Sequence, residues 1–547
     1  MKKAWQRLRE TRVLEIMHGF FGTYGKRATW DLSSFKDKSL VKRTYENSEL
    51  SLTQLTLPKF LNDKYFEEND GCFLALEGVL FESDKPDKAI EKYHKGDTTF
   101  WNSWRGSFAG VLYDSKTDTL LVFNDHIGSK MLFYAQTKDG FAFASDLLLL
   151  AKTIGADEVD LSFIKAILDS GYTSEARTFV KGIKRLTAGQ YLRLCGSKLQ
   201  IADYHRFDNT PWKYDEAKML NETDRLFRQA VQRVVRKNEQ ECLQQFYPLS
   251  GGLDSRMTQW IARQIATQPI VNYTYSQSGH YDHLLPQEIS KTLGNKWQFM
   301  PLDGGSYLTQ IDDIAHATEW LINYNGPSEI YAFASQQDWK DKGVVLTGVN
   351  GDNILAVITD SRREIDLLYS LSFAGNGLGS PLVLQHYTET YSPFCDVDFL
   401  NFVLHIPTIK RRNYYFYDKW ILAYYPDAAR WHHKHEWIGH RQKMVTLVGR
   451  NIPLRDVPKR LLLTTLKRLH IYDGYRIDDD SMNPYDRWAK ENPQILEQME
   501  TYYTEHKKLL KDKKLVSICE YKMQKGTIME KCKVLTILSA LKAFCDN

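Results

Sequence analysis

The chain has 547 residues, 43% of them apolar and 26% charged, and a net charge of +4. That length exceeds what one hydrophobic core organises and implies two or more domains. The near-balanced charge gives no case for a nucleic acid or a membrane as partner. Seven scattered cysteines show no C-x-x-C pair or metal-ligand spacing, and read as reduced thiols of a cytoplasmic protein.

The N-terminus, Met-Lys-Lys-Ala-Trp-Gln-Arg-Leu-Arg-Glu, is charged and lacks the apolar stretch of a signal peptide. No window reaches the run of about 18 apolar residues that spans a bilayer. The first half then reads as short strands: Cys72–Leu76, Ser107–Tyr113, Leu120–Phe123 and Met131–Tyr134, with turn signals at Asp114–Asp118 and Lys138–Gly140. After about residue 208 the period becomes helical. Asp215–Val235 carries Leu220, Leu226, Val231 and Val234 at helical spacing. A strand ending at Leu249 follows, then a helix with Met257, Trp260 and Ile261, a strand at Ile270–Tyr275, a helix around Leu285–Leu293 and a strand at Val344–Leu346. Alternating strands and helices predict right-handed parallel crossovers and a doubly wound sheet, with ligands at the strands' carboxyl ends. The remainder reads as mainly helical, and Thr527–Phe544 as a helix with one apolar face.

Ser250-Gly251-Gly252-Leu253-Asp254-Ser255 lies between a strand and a helix. Its glycines are expected at positive φ, turning main-chain N–H groups inward to make, with the helix N-terminus, a nest for pyrophosphate. Asp254 cannot favour bare phosphate there, so it is expected to hold Mg²⁺. No Lys-Ser/Thr pair follows, so the loop is not of the Walker type; it resembles the pyrophosphate loop of ATP pyrophosphatases.

Further motifs make the chain resemble the asparagine synthetase family over nearly its whole length. Asn124-Asp125-His126-Ile127-Gly128-Ser129-Lys130-Met131-Leu132-Phe133-Tyr134 is similar to the family's R-D-x-x-G-x-K-P-L-Y-Y, and Ala144-Ser145-Asp146 to its A-S-E. Gly182–Leu186 with Gly189–Leu192 is similar to G-I-x-x-L-x-P-G-x-x-L. Later, Thr347-Gly348-Val349-Asn350-Gly351-Asp352 resembles S-G-E/D-G-x-D, Ser392–Asp396 resembles x-P-F-L-D, and Arg441-Gln442-Lys443 resembles R-x-K. The resemblance implies an α/β protein of two domains. After an extension, 1–17, comes a class II glutamine amidotransferase-like domain, 18–207, an αββα Ntn-hydrolase-like sandwich. An ATP-binding synthetase domain, 208–547, follows as a doubly wound parallel sheet of the adenine nucleotide alpha hydrolase kind, with added helices.

Against the family pattern, the amidotransferase half has lost its chemistry. His18 stands where C-G-I-F-G puts the nucleophilic cysteine, and it is internal, so it has no free α-amine to act as base. Glu77-Gly78 stands where the oxyanion-stabilising Asn-Gly belongs, and a carboxylate repels the developing charge. The R-G-P-D segment is missing. The synthetase half has kept its phosphate-handling parts. By the resemblance, Ser250–Ser255 cradles pyrophosphate and Asp254 and Asp352 hold Mg²⁺. Leu249, Tyr275, Thr347 and Gly348 lie near the adenosine, while Lys443 and Arg441 serve the chemistry. On the acceptor side, Val349, Asn353 and Asn325-Gly326-Pro327 replace family acids, so the incoming amine or its base differs.

These features imply AMP-forming amide ligation by Mg²⁺-ATP, through an acyl-adenylate and without glutamine hydrolysis, on a small-molecule or peptide carboxylate and an amine, with a homodimer admitted as assembly. Asparagine synthesis from ammonia or glutamine, a nucleotide-binding scaffold without turnover, and a nucleic-acid-modifying pyrophosphatase are the alternatives; the last lacks the basic face it requires. Trp431-His432-His433-Lys434-His435 reads as a solvated polar turn, with a substrate-facing role open to one His because the run shortly precedes Lys443; Gly375–Gly379 reads as a flexible loop, and His506–Lys514 as a solvated helix face.

Overall fold

A computed structural model describes residues 18–25, 28–32, 39–138, 140–173, 176–357, 361–433, 436–441, 444–447, 450–454, 457–458, 461–462, 465 and 482–545. The extension 1–17 lies outside them.

Twelve strands build the first half: β1 (Gly19–Gly25), β2 (Val41–Glu46), β3 (Leu50–Thr56), β4 (Phe66–Asn69), β5 (Cys72–Glu82), β6 (Arg105–Asp114), β7 (Thr119–Asn124), β8 (Phe133–Thr137), β9 (Gly140–Ala144), β10 (Lys184–Arg185), β11 (Gln190–Cys195) and β12 (Lys198–Asp203). They form two six-stranded sheets, ordered β10-β8-β9-β1-β3-β2 and β12-β11-β7-β6-β5-β4. The two-residue period of a strand explains why both faces of β5 are apolar over Cys72–Leu76. Phe73 and Ala75 point between the sheets, among Phe20, Leu52, Val111 and Val122. Cys72, Leu74 and Leu76 point outward, under Ile90, Trp101 and Trp104. The other sheet covers its outer face with the helices Leu147–Ile154 and Leu161–Ser170. Asp146 and Asp160 cap the starts of these helices, and Gly155 and Gly171 end them in the left-handed conformation. The layers are therefore helix, sheet, sheet, helix.

In the second half the helix Glu216–Gln240 runs longer than the sequence period suggested. Strands β13 (Gln245–Pro248), β14 (Ile270–Ser276) and β15 (Lys296–Pro301) pair in parallel in that order. Two further short strands, β16 (Val345–Leu346) and β17 (Thr390–Tyr391), also pair in parallel. A parallel bridge between Gln244 and Lys342 sets β16 beside β13. The sequence reading passed over β15, whose outer position leaves it without the continuous apolar run of a buried strand, and over β17, only two residues long.

Two expectations need correction. The helix Ile528–Cys545 has no single apolar face: it is buried nearly all round, with Val534, Leu535, Ile537 and Leu538 at most 2% exposed. It runs beneath both halves, so all its sides meet protein. Gly375–Gly379 is not a loose loop but a 3₁₀ turn, Asn376–Leu378, leading into the helix Gly379–Gln385. No single helix among the described residues is long and apolar enough to cross a membrane.

Candidate active site

The Ser250–Ser255 loop joins β13 to the helix Leu253–Ile265, as expected, but its glycines serve another purpose. Neither Gly251 nor Gly252 has positive φ; Gly252 is the helix N-cap at φ −68°, ψ 164°. Gly251 is required by crowding, because a Cβ there would stand 2.3 Å from the Tyr281 ring. Nor do the first amides make an open nest. Ser250 N–H donates to Ser255 Oγ at 3.0 Å, Gly252 N–H to Ser250 Oγ at 3.2 Å, and Gly251 N–H to the Asp282 carboxylate at 2.7 Å. What the loop offers a ligand is the first turn of the helix, with Leu253, Asp254 and Ser255 at its positive end.

Asp254 is held at both carboxylate oxygens. Its Oδ2 accepts from the Asp352 amide at 2.9 Å and its Oδ1 from the Tyr417 hydroxyl at 3.1 Å. Gly351 and Gly348 explain why the Thr347–Asp352 turn carries glycines. A Cβ on Gly351 would lie 2.3 Å from the Asp254 carboxyl carbon, and one on Gly348 2.6 Å from the Ser255 amide nitrogen. The two segments thus pack backbone to backbone, bringing Asp254 and Asp352 together. Burial first, then the carboxylates of Asp352 and Asp254, push the Tyr414 hydroxyl up, so it stays a donor beside Asp352.

These residues open onto a cavity of about 380 Å³. Leu249, Ser250, Gly252, Leu253, Asp254, Ser255, Tyr275, Thr347, Gly348 and Asp352 all line it; of the residues expected around a nucleotide, Gly251 does not, its N–H being engaged by Asp282. Asp282, Ser380 and Met482, none singled out in the sequence, line it as well, and so does His433 of the histidine run. No lysine or arginine does so among the described residues.

His433 corrects the reading of a solvated polar turn: it is 2% exposed. The buried Arg256 explains this by gathering the carbonyls of Gly251, Ala428, Trp431 and His432, tying the turn to the loop. Arg441 does not line the cavity. Its guanidinium grips Asp418 through two bonds of 2.8 and 2.9 Å, lies over the Tyr414 ring, and donates to His433 Nδ1 at 3.1 Å. Guanidinium can only donate, so Nδ1 is the acceptor and neutral His433 carries its proton on Nε2. Lys443 and Gln442 lie outside the described residues, as do Lys434 and His435.

The first half's expected glutaminase position is filled by buried, mutually engaged charge. His18 Nε2 donates to the Gln385 carbonyl at 2.7 Å, and its Nδ1 lies 3.5 Å from Glu77. Glu77 also accepts from Gln54 at 2.9 Å and Thr56 at 2.8 Å, with Lys64 Nζ 3.4 Å away. Burial alone would raise the Glu77 carboxyl, but Lys64, His18 and Lys130 outweigh it and hold it well below the usual carboxylate range. Lys130 continues the chain of charge to Glu389 of the second half at 2.6 Å. Gly78 sits at φ 122° against the Ser107 carbonyl, which a Cβ would meet at 2.1 Å. A separate cavity of about 50 Å³ lies between the halves, lined by Arg105, Asp125 and His126 on one side and Asn350 and Cys395 on the other. Thr347 and Val349 line both cavities.

Residues 82–205 match the family described as a glutamine amidotransferase domain. That match begins beyond His18 and Glu77. Over 309 residues the chain is 25% identical to a Mycobacterium tuberculosis protein named "Putative asparagine synthetase", glutamine-hydrolyzing, covering 53% of this chain and 45% of that one. Over 299 residues it is 20% identical to glutamine-hydrolyzing asparagine synthetase 1 of Bacillus subtilis, covering 54% and 46%. An amidase of Gibberella zeae is 22% identical over 281 residues, covering 48% and 38%. Among solved structures, a glutamine phosphoribosylpyrophosphate amidotransferase from B. subtilis aligns with 52% of this chain and 85% of its own at 8% identity and a TM-score of 0.23, too low to bear on the fold. The chain therefore spans less than half the length of each of the three curated relatives. It is related, at modest identity, to the asparagine synthetases.

Proposed function

From that kinship we propose that the chain is an ATP-dependent ligase that forms a C–N amide bond, releasing AMP and pyrophosphate, and that it does not hydrolyse glutamine. The observation that carries the reading is the charge of the cavity. Three carboxylates, Asp254, Asp282 and Asp352, line it together with a helix N-terminus, and no described basic side chain does. A bare polyphosphate would be repelled there. The donor set of hard carboxylate oxygens fits Mg²⁺, so nucleotide and cation would bind as one unit. Bound Mg²⁺-ATP supplies the adenylyl group that activates the substrate carboxylate for attack by an amine.

In this reading the chain's own residues bind and orient. Asp254 and Asp352 hold the cation, with Tyr417 and Tyr414 fixing the carboxylates. Ser250, Ser255 and the first helical turn face the phosphates. Leu249, Tyr275, Thr347 and Gly348 wall the adenosine. Arg441 positions His433, whose Nε2–H is the donor turned away from Arg441, and Lys443 supplies the missing positive charge. Val349 offers no acid to the acceptor, so the amine arrives with a base of its own or from another residue. The buried His18–Glu77 pair leaves neither nucleophile nor oxyanion donor, which makes the first half, 18–207, an Ntn-like wall for an adenine nucleotide alpha hydrolase-like second half, 208–547. A cytoplasmic setting and a small-molecule or peptide carboxylate complete the proposal.

ATP–pyrophosphate exchange across a panel of carboxylic acids tests it. Exchange should need Mg²⁺ and at least one acid, vanish in Asp254→Ala and Lys443→Ala, and survive in His18→Ala. Absence of exchange with every acid, together with absence of Mg²⁺-ATP binding, would overturn the ligase. Robust glutamate release from glutamine would overturn the second part.

A further inference from the structure

Away from the cavity, three ligating side chains from distant parts of the sequence meet at the junction of the halves. Asp146 comes from the end of β9, while His316 and Glu319 come from the helix Ile311–His316 and the turn after it. One imidazole nitrogen and one oxygen of each carboxylate all lie within 4.8 Å of one another, and His316 Nε2 is 3.5 Å from Asp146 Oδ2. Both carboxylates are completely buried. Each uses one oxygen on the same helix N-terminus: Asp146 Oδ1 accepts from the Leu149 amide at 2.7 Å, and Glu319 Oε2 from the Leu147 amide at 2.9 Å. Among the described residues, the other oxygen of Glu319 is buried with no hydrogen-bond partner, and so is His316 Nε2. Two adjoining buried carboxylates, one with an unmet acceptor among the described residues, and a converging imidazole nitrogen leave polar atoms at one point that a bound cation would satisfy.

We propose that Asp146, His316 and Glu319 bind one divalent transition-metal ion of the zinc class, clamping the first half to the second. One nitrogen and two carboxylate oxygens suit a borderline ion. Mg²⁺ and Ca²⁺ prefer all-oxygen shells with more ligands, and copper(I) prefers sulfur. Tetrahedral ligands at about 2.0–2.2 Å from zinc stand roughly 3.5 Å apart, so the cluster closes on an ion with shifts of about an ångström. Water completes the shell. His316, with 19% of its side chain exposed and its ring stacked 4.9 Å from Trp320, supplies the route to solvent. The competing arrangement is a proton shared between the two carboxylates with no metal.

The test uses the whole chain without nucleotide, loaded with ZnCl₂, desalted, and assayed for bound zinc by mass spectrometry and for thermal unfolding. Wild type should retain about one zinc per chain, unfold several degrees higher than before loading, and lose that gain to a chelator selective for transition metals. Glu319→Gln, which keeps shape and the Leu147 hydrogen bond, and His316→Gln, on a part-exposed site, should each drop zinc at least tenfold and show no zinc-dependent shift. Wild type without zinc uptake, or variants that keep the zinc, would overturn the site and leave the shared proton. None of these readouts depends on ligase activity.

Discussion

Gly351→Ala isolates the contact between the two segments that build the cavity proposed for nucleotide. At the first position of a short helix, alanine in place of glycine should stabilise by up to about 1 kcal/mol. Here the added Cβ would stand 2.3, 2.4 and 2.6 Å from the three carboxyl atoms of Asp254. The carboxylate must retreat by about an ångström to reach ordinary contact, breaking its bonds from the Asp352 amide and the Tyr417 hydroxyl. Hydrogen bonds to a charged group contribute about 1.5–3 kcal/mol each, and water entering the cavity recovers part of that. A net loss of about 2 kcal/mol in stability is expected, with Mg²⁺-ATP affinity reduced at least tenfold, equivalent to about 1.4 kcal/mol. Calorimetric titration of Mg²⁺-ATP and thermal unfolding without ligand measure the two. A variant as stable as wild type that binds nucleotide equally well would refute the placement of Asp254 against Gly351 and its role with the cation.

Glu389→Ala leaves Lys130 buried without its ion-pair partner, so unfolding should become easier by about 3–5 kcal/mol in denaturant titration. Burial pushes the Glu329 carboxyl up to about 7 from an ordinary 4.5. Stability from its protonated form is complete below pH 4.5 and is lost as pH rises through 7. The shift of 7 − 4.5 = 2.5 corresponds to about 3 kcal/mol, which Glu329→Gln should not lose on the same pH series of unfolding curves. Arg441→Ala unpairs Asp418 and frees His433 to turn, so Mg²⁺-ATP affinity should fall about tenfold even though Arg441 is off the cavity; unchanged affinity would remove its positioning role.

The layered first half was legible because β5, β6 and β7 are buried on both faces and so carry unbroken apolar runs. β15 and β17 were not, one lying half exposed and the other being two residues long. The residues lining the cavity proposed for nucleotide were flagged in the sequence by glycine-bearing turns, though for a reason the sequence does not disclose. Gly251, Gly348 and Gly351 answer to neighbours far along the chain, Tyr281 and Asp254, and not to their own φ angles. The same holds for Asp282 and His433. A carboxylate on a loop amide and an imidazole behind an arginine are products of tertiary contact: nothing local marks Asp282, and the histidine run does not tell which His is buried at the cavity. The aromatic run Tyr414-Tyr415-Phe416-Tyr417 was the one available signal for the hydroxyls beside Asp254 and Asp352, and its spacing reads equally as core.

The helix Ile528–Cys545 places a constraint on how the protein is made. It supplies part of the covering for the outer face of the first sheet, through the helices Leu147–Ile154 and Leu161–Ser170, yet it leaves the ribosome long after them. Until it arrives, Phe163 has the Phe179 ring, but the side of the helix Leu161–Ser170 that packs on Ile528–Cys545 stays uncovered on the nascent chain. Attachment to chaperones during synthesis, and aggregation when this helix is removed, follow from fastening an earlier-made layer with a later-made segment.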